Sequence, residues 1–212
     1  MQKSSTLIAK IFRLIYSTTC LFFNNVYTWL KFYSNNIIFG DFKTNGIPFV
    51  MVARGGYCKL GSNLTINNGL IGNPIGRPQP CVFFVDKGAS LIIGNNVGMS
   101  STALISHQAI TIEDNVKIGG GVCIYDTDFH SLDAVTRNNP QQDKANKKTK
   151  PVHIKSNAFI GAHSTVLKGV SIGKNSIIGA CSVVTKNVPD NEIWAGNPAI
   201  FIRRIIDNKN SG

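Results

Sequence analysis

From Ile154 to Val184 the apolar residues keep a period of six: Ile154, Ile160, Val166, Ile172, Ile178 and Val184 are all β-branched and aliphatic. Four positions after each stands Ala158, Ser164, Val170, Ser176, Ser182 or Val188, small or modest in every case. A helix repeats every 3.6 residues and a strand every 2, so neither produces this pattern. A short fixed repeat predicts an all-β solenoid. Three six-residue sides close a triangular 18-residue coil, in which residues 18 apart stack at the strand spacing of about 4.8 Å. Ile154 then stacks on Ile172, Ile160 on Ile178 and Val166 on Val184, and three aliphatic ladders fill the interior. The small residues relieve crowding near the corners. Gly and Asn gather where the backbone turns, because both tolerate positive φ.

The beat extends upstream. Ile112, Ile118 and Ile124 hold it, with Val116 and Val122 at the small positions, and Ile93, Met99 and Ile105 precede them with a one-residue slip before Ile112. Earlier still it is worn, over Val85 to Leu91 and Leu60 to Ile66, with Gly55-Gly56 and Gly72-Asn73-Pro74 as breaks. A solenoid over residues 46–197 follows. It is interrupted once, by a polar loop over 127–152 that holds Asn138-Asn139-Pro140 and a lysine-rich run and has no residues for a ladder. Loops of that length inside a compact repeat are more often functional than idle. Val188-Pro189-Asp190 marks the end of the coils, and residues 198–212 are expected to form a short closing helix and tail, with Phe201, Ile202, Ile205 and Ile206 turned inward.

Residues 1–45 have a different period. Leu7, Ile8, Ile11, Phe12 and Ile15, then Phe22, Phe23, Val26, Tyr27 and Leu30, recur at helical spacing and predict one or two amphipathic helices across 4–34. The 17 uncharged residues between Arg13 and Lys31 are interrupted by Ser17, Thr18, Thr19, Asn24 and Asn25 and fall short of a membrane span. No small-residue cleavage site follows, which argues against a signal peptide. Two roles remain for these helices. One is packing on the rest of the chain; the other is peripheral contact at the cytoplasmic face of a membrane, helped by Lys3, Lys10, Arg13 and Lys31.

Lys and Arg outnumber Asp and Glu by 22 to 11, a net charge of +11, which suits an anionic partner. No zinc-finger spacing or aromatic-interleaved basic stripe is present, so nucleic acid is not that partner. The five cysteines are scattered and never form C-x-x-C, as expected of a cytoplasmic chain without disulfides or a thiolate metal site.

Candidate chemistry collects where the ladder gives way to the loop, in Ile124-Tyr125-Asp126-Thr127-Asp128-Phe129-His130. An imidazole titrates near working pH and a neighbouring carboxylate can fix its tautomer, so His130 suits a general base with Asp126 and Asp128 beside it. His107, in Ser106-His107-Gln108 of an earlier coil, is placed to line the same cleft, whereas His153 and His163 read as structural or surface residues. Four histidines also raise a zinc enzyme of the β-helix carbonic-anhydrase type. That site usually holds a close His pair, and here the nearest pair is ten residues apart, so no metal is expected.

The ordered set Ile118-Gly119-Gly120-Gly121-Val122, Asp126-x-Asp128-x-His130, Ile160-Gly161-Ala162, Ile178-Gly179-Ala180 and Trp194-Ala195-Gly196-Asn197-Pro198-Ala199 resembles the hexapeptide-repeat acyltransferases. Within them it is similar to the maltose and galactoside O-acetyltransferases and to the acetyltransferases of bacterial capsule and exopolysaccharide, the colanic-acid type included. The likeness runs from Leu91 to Arg204 and does not reach the N-terminal segment. It implies a left-handed parallel β-helix, against the right-handed rule for ordinary parallel crossovers. It further implies a homotrimer with acetyl-CoA in a groove between subunits and a saccharide hydroxyl as acceptor. His130 would take the hydroxyl proton, with Asp126 or Asp128 orienting it or touching the sugar. Ala162 and Ala180 would offer backbone groups to the pantetheine arm. Thr185, Lys186, Pro198 and Arg203 would hold the nucleotide end, and His107 and Ser101 would face the acceptor.

The chain departs from the sugar acetyltransferases at Val97-Gly98-Met99-Ser100-Ser101, where they carry an Asn, and near His107, where they carry an acceptor carboxylate. A different hydroxyl, such as one on a lipid-linked surface-polysaccharide precursor, is the expectation. N-acetylation of an amino or nucleotide sugar, or another acyl donor, is the alternative.

Overall fold

In a computed structural model, which describes residues 2–75 and 78–206, the ladders stand in three sheets wound about one interior. The first sheet stacks Ile38–Phe39, Tyr57–Leu60, Ser90–Ile93, Ala109–Ile112, Val152–Ile154 and Ser171–Ile172. The second runs through Phe42–Asn45, Leu64–Asn67, Gly98–Ser100, Lys117–Ile118, Phe159–Ile160 and Ile177–Ile178, then Glu192–Gly196 and Ala199–Arg204. The third holds Phe49–Val52, Val82–Val85, Ala103–Ser106, Cys123–Tyr125, Thr165–Val166 and Val183–Val184. Pairing is parallel throughout, except for the antiparallel last pair.

Register follows the six-beat. Ile154 pairs with Ile172, Ile160 with Ile178 and Val166 with Val184, all fully buried. Above the long loop Ile112, Ile118 and Ile124 continue the same columns, so the interruption leaves the stack undisturbed. The small positions bury polar atoms without cost because each finds a partner. Ser164 and Ser182 hydroxyls donate to Gly179 O at 2.9 and 2.7 Å, and Ser176 donates to Pro189 O at 2.6 Å.

Each corner needs a residue in the left-handed region. At one corner the chain supplies Asn63, Asn96, Asn115, Asn157, Asn175 and Asn191, with φ between +55° and +61°. Asn tolerates this conformation better than other side chains. Here its amides also link coil to coil: Asn63 to Asn96 at 2.9 Å, Asn96 to Asn115 at 3.1 Å, Asn157 to Asn175 at 3.0 Å and Asn175 to Asn191 at 2.8 Å. Another corner uses Ser101, Gly121, His163 and Cys181, all at positive φ. Burial pushes the Cys58 and Cys81 thiols up to about 12, so both remain protonated core residues.

Three expectations are corrected. The coils begin at Ile38, eight residues before the expected boundary at residue 46. Leu104, not Ile105, takes the inward place opposite Ile124, while the extra residue of this coil still falls before Ile112, as expected. Of the one or two helices expected at the N-terminus there is one, α1 (Gln2–Ser34), which no Gly or Pro interrupts; Asn36 at φ +52° ends it, and the Ile37 N–H donates to Phe32 O at 3.0 Å. The expected C-terminal helix is instead the strand Ala199–Arg204, which folds back to pair with Glu192–Gly196 and covers that open edge. Phe201 and Ile202 there are exposed rather than turned inward, and residues 207–212 lie outside the described part.

Phe32 of α1 is fully buried against Phe42, Phe39 and Phe83, at ring-centroid distances of 5.1, 5.4 and 6.1 Å. The helix thereby plugs the first turn of the solenoid, a capping task that every stacked repeat must solve. A second, shorter helix, α2 (Gly69–Gly72), sits in an excursion of the second coil. Among the described residues, no helix is long and apolar enough to cross a membrane.

Candidate active site

The polar run that leaves the ladder at Asp126 folds into two short helices, α3 (Ala134–Arg137) and α4 (Pro140–Asn146). Both begin on side-chain caps: Asp133 accepts from the Thr136 N–H at 2.7 Å, and Asn139 accepts from Gln141 and Gln142 at 3.1 Å, with Pro140 opening the helix. An antiparallel bridge between Thr127 and Thr149 closes the base of the loop.

This loop presents His130. Phe129 before it holds φ at +64°, an outlier for a bulky side chain. Packing offsets the strain, since the Phe129 ring stands 5.2 Å from Tyr125 and 6.0 Å from His107. The turn leaves the His130 side chain 68% exposed, with Nδ1 2.7 Å from Oδ2 of Asp143 on α4. Asp143 is 13% exposed, and its other oxygen accepts the Ser131 N–H at 2.6 Å. The His130 hydrogen bond first, then the Ser131 N–H, hold the Asp143 carboxyl below the usual carboxylate range. A carboxylate at Nδ1 favours the tautomer protonated there, in which Nε2 is the acceptor nitrogen of the ring.

The two acids expected beside His130 do other work. Asp126 is fully buried and accepts the His107 N–H at 2.7 Å, the Gln108 N–H at 2.8 Å and the Ser106 hydroxyl at 3.1 Å. It clamps the neighbouring coil. Asp128 pairs with Lys168 at 2.9 Å and meets His130 only through its backbone carbonyl, which accepts the His130 N–H at 2.7 Å. Asp143 carries the orienting contact instead. Its sequence signal was the Asn139-Pro140 helix start, which favours an acid in the first turn.

His107 lies in the same neighbourhood, mostly buried. Its Nδ1 is 2.7 Å from both Asp86 Oδ2 and Lys147 Nζ, and its ring is 5.4 Å from Phe84. Burial pushes the Asp86 carboxyl up, but the Lys87 N–H, His107 and Lys147 outweigh it and the net shift is downward. Lys147 caps the end of α4, so this one helix supplies a partner to both His107 and His130. His153 pairs separately with Glu113 at 2.7 Å, and His163 occupies a corner. Ser101, expected at the acceptor, is buried beneath the second-coil excursion, where Gln79 donates to its carbonyl at 3.0 Å. Its hydroxyl does not reach the surface.

The expected donor residues flank the third sheet. Ala162 and Ala180 precede its strands Thr165–Val166 and Val183–Val184, and Thr185 and Lys186 follow the last one. Gly161 and Gly179 sit beside the alanines. A Cβ on Gly161 would lie 2.5 Å from the Ala180 nitrogen, and one on Gly179 would lie 2.7 Å from the Ala195 Cβ. The column can therefore pack coil on coil only without side chains there. Thr185, Lys186 and Pro198 come together around a groove of about 190 Å³ that Trp194 and Phe201 also line. Arg203 lies apart from that groove, exposed on the final strand opposite Ile193.

Residues 151–186 match the family described as bacterial transferase hexapeptide (six repeats). The putative acetyltransferase YJL218W of Saccharomyces cerevisiae is 36% identical over 126 residues, covering 59% of this chain and 61% of the relative. The galactoside O-acetyltransferase of Escherichia coli is 35% identical over 130 residues, covering 61% of each. The chain thus spans about three fifths of the length of the curated relatives it matches. Among solved structures, the hexapeptide-repeat acetyltransferase VCA0836 of Vibrio cholerae aligns with a TM-score of 0.54 at 26% identity, covering 70% of this chain and 74% of that one. That Vibrio protein has also been solved in complex with acetyl coenzyme A. The chain is therefore a left-handed parallel β-helix of hexapeptide repeats, similar in sequence and fold to acetyltransferases.

Proposed function

We propose that the protein is an O-acetyltransferase that moves an acetyl group from acetyl-CoA to a hydroxyl of a saccharide. The observation that carries this reading is the His130–Asp143 pair, with the imidazole exposed and its Nδ1 held by a carboxylate 2.7 Å away. The acceptor hydroxyl hydrogen-bonds to Nε2 and gives up its proton there as its oxygen attacks the thioester carbonyl carbon. The tetrahedral intermediate collapses with cleavage of the C–S bond, and the imidazolium returns the proton to the leaving thiolate. Asp143 stabilises the transient imidazolium without taking the proton, as carboxylates do in related dyads. Tyr125, Phe129 and His107 form an aromatic flank on which a sugar face can rest.

Coenzyme A fits the third-sheet edge on chemical grounds. The side-chain-free column by Ala162 and Ala180 suits a thin pantetheine arm, and Lys186 and Arg203 suit its phosphates. His130 leaves the solenoid where the third sheet passes to the first, whereas the alanines lie where the second passes to the third. One copy thus carries the base and the pantetheine wall on different edges of its prism. This supports a homotrimer in which a loop of one subunit faces the donor wall of the next.

The test is transfer from labelled acetyl-CoA across a panel of mono- and oligosaccharides, with His130→Ala as control. The variant should lose about 10²–10⁴ of the rate. A His130→Ala rate within a few-fold of wild type removes the base assignment, and labelling confined to amino sugars would make the enzyme an N-acetyltransferase.

A further inference from the structure

We infer that α1 is a membrane-surface anchor, lying with its apolar face on an anionic lipid bilayer while its polar face holds the solenoid. A helix on a water-soluble protein normally turns its apolar stripe inward; α1 does the reverse. Its inner face is fastened by polar groups. Asn25 exchanges hydrogen bonds with Thr44, accepting from the N–H at 3.0 Å and donating to the carbonyl at 3.3 Å. Lys31 donates to Pro48 O at 3.0 Å, and Thr28 is buried on the same side. Phe32 is the one fully buried apolar side chain of the described helix.

The outward side carries Phe12, Ile15, Phe22, Phe23 and Tyr33, with exposures of 58–68%. An apolar surface of that extent needs a partner. Two features select lipid over a second copy of the chain. Besides Lys31, which is fastened to the solenoid, the helix sequence contains Lys3, Lys10 and Arg13 and no Asp or Glu, so paired copies repel while anionic headgroups attract. Its Tyr and Trp residues are the side chains that favour the headgroup level. An apolar groove of about 630 Å³ also opens beside this face, where Phe22, Val26 and Trp29 meet Phe39 and Phe42, and offers room for part of an acyl chain. The inference does not rest on the transfer chemistry proposed above.

Full-length protein is sedimented with vesicles of pure phosphatidylcholine and with vesicles containing about a third phosphatidylglycerol. Binding to the anionic vesicles is expected to be about tenfold tighter and to weaken with added salt. Phe12→Ser combined with Phe22→Ser should reduce it at least about tenfold at unchanged melting temperature, because both side chains are exposed. Solution mass without lipid is measured in parallel. Protein that never pellets overturns the inference. So does equal binding to both vesicle types, or a double variant that loses self-association but no vesicle binding.

Discussion

His130 Nδ1 lies 2.7 Å from Oδ2 of Asp143, a residue thirteen positions later on a helix of only seven residues. The His130 imidazole is thus held by its own loop and not by the rigid coil it leaves. Asp143→Asn presents an amide that serves as acceptor at only one of its two ends, so it cannot both fix Nδ1–H and keep the Ser131 contact. Acetyl transfer is expected to fall about ten- to a hundredfold in kcat, with KM for acetyl-CoA within about twofold. Steady-state kinetics decide this, and an unchanged kcat would free His130 from Asp143.

The ladders were legible because every coil interior demands an aliphatic residue, and the demand recurs every six positions. The choice between Leu104 and Ile105 was not, since both residues are aliphatic and periodicity cannot tell which of them turns inward. Periodicity likewise exposes the two faces of α1 but not which one meets the protein. Only the contacts of Asn25 and Lys31 reveal that the polar one does. His130 stood out because it interrupts a ladder. Its partner did not, because Asp126 and Asp128 are nearer in sequence and only the folding of α4 brings Asp143 back.

Acid should loosen the site loop late. Asp143 and Glu113 are held below the ordinary carboxylate range, Asp143 chiefly by the His130 hydrogen bond and Glu113 chiefly by the Ser156 hydroxyl. A depressed folded pKa means the unfolded chain takes up the proton first. The stabilisation is therefore fully present above the ordinary value of about 4 and is lost as pH falls through the lower folded value. Thermal melts from pH 7 downward are expected to stay level on this account until about pH 4 and then fall, with a shallower fall in Asp143→Asn. Identical acid slopes in the two proteins would count against it.

Gly161 tests the donor wall. The added methyl of Gly161→Ala would meet the Ala180 nitrogen at 2.5 Å, backbone that cannot swing aside. The coils must part slightly, at a cost of about 1–3 kcal/mol. Isothermal titration should show coenzyme A binding weakened at temperatures where the variant remains folded. Unaltered affinity would move the pantetheine arm away from this column.

Asp126→Asn should separate the clamp from the catalyst. The buried Asp126 carboxylate gathers the Ser106 hydroxyl and the His107 and Gln108 N–H groups, all donors. An amide keeps one acceptor oxygen and, whichever way it is turned, sets its NH₂ against the His107 or the Gln108 backbone N–H, which can only donate. A loss of about 2–4 kcal/mol is expected, from charge-assisted bonds removed and a buried donor left unmatched. Denaturant unfolding reads that loss, while kcat at low temperature should stay within a few-fold of wild type because His130 keeps Asp143. Asp143→Asn should show the opposite emphasis, the larger effect in kcat and the smaller loss in stability at neutral pH, because the Asp143 carboxylate is held by the His130 imidazole and one N–H at the edge of the loop. If Asp126→Asn instead lowers kcat a hundredfold without loss of stability, Asp126 belongs to the reacting groups and the roles drawn from their contacts are reversed.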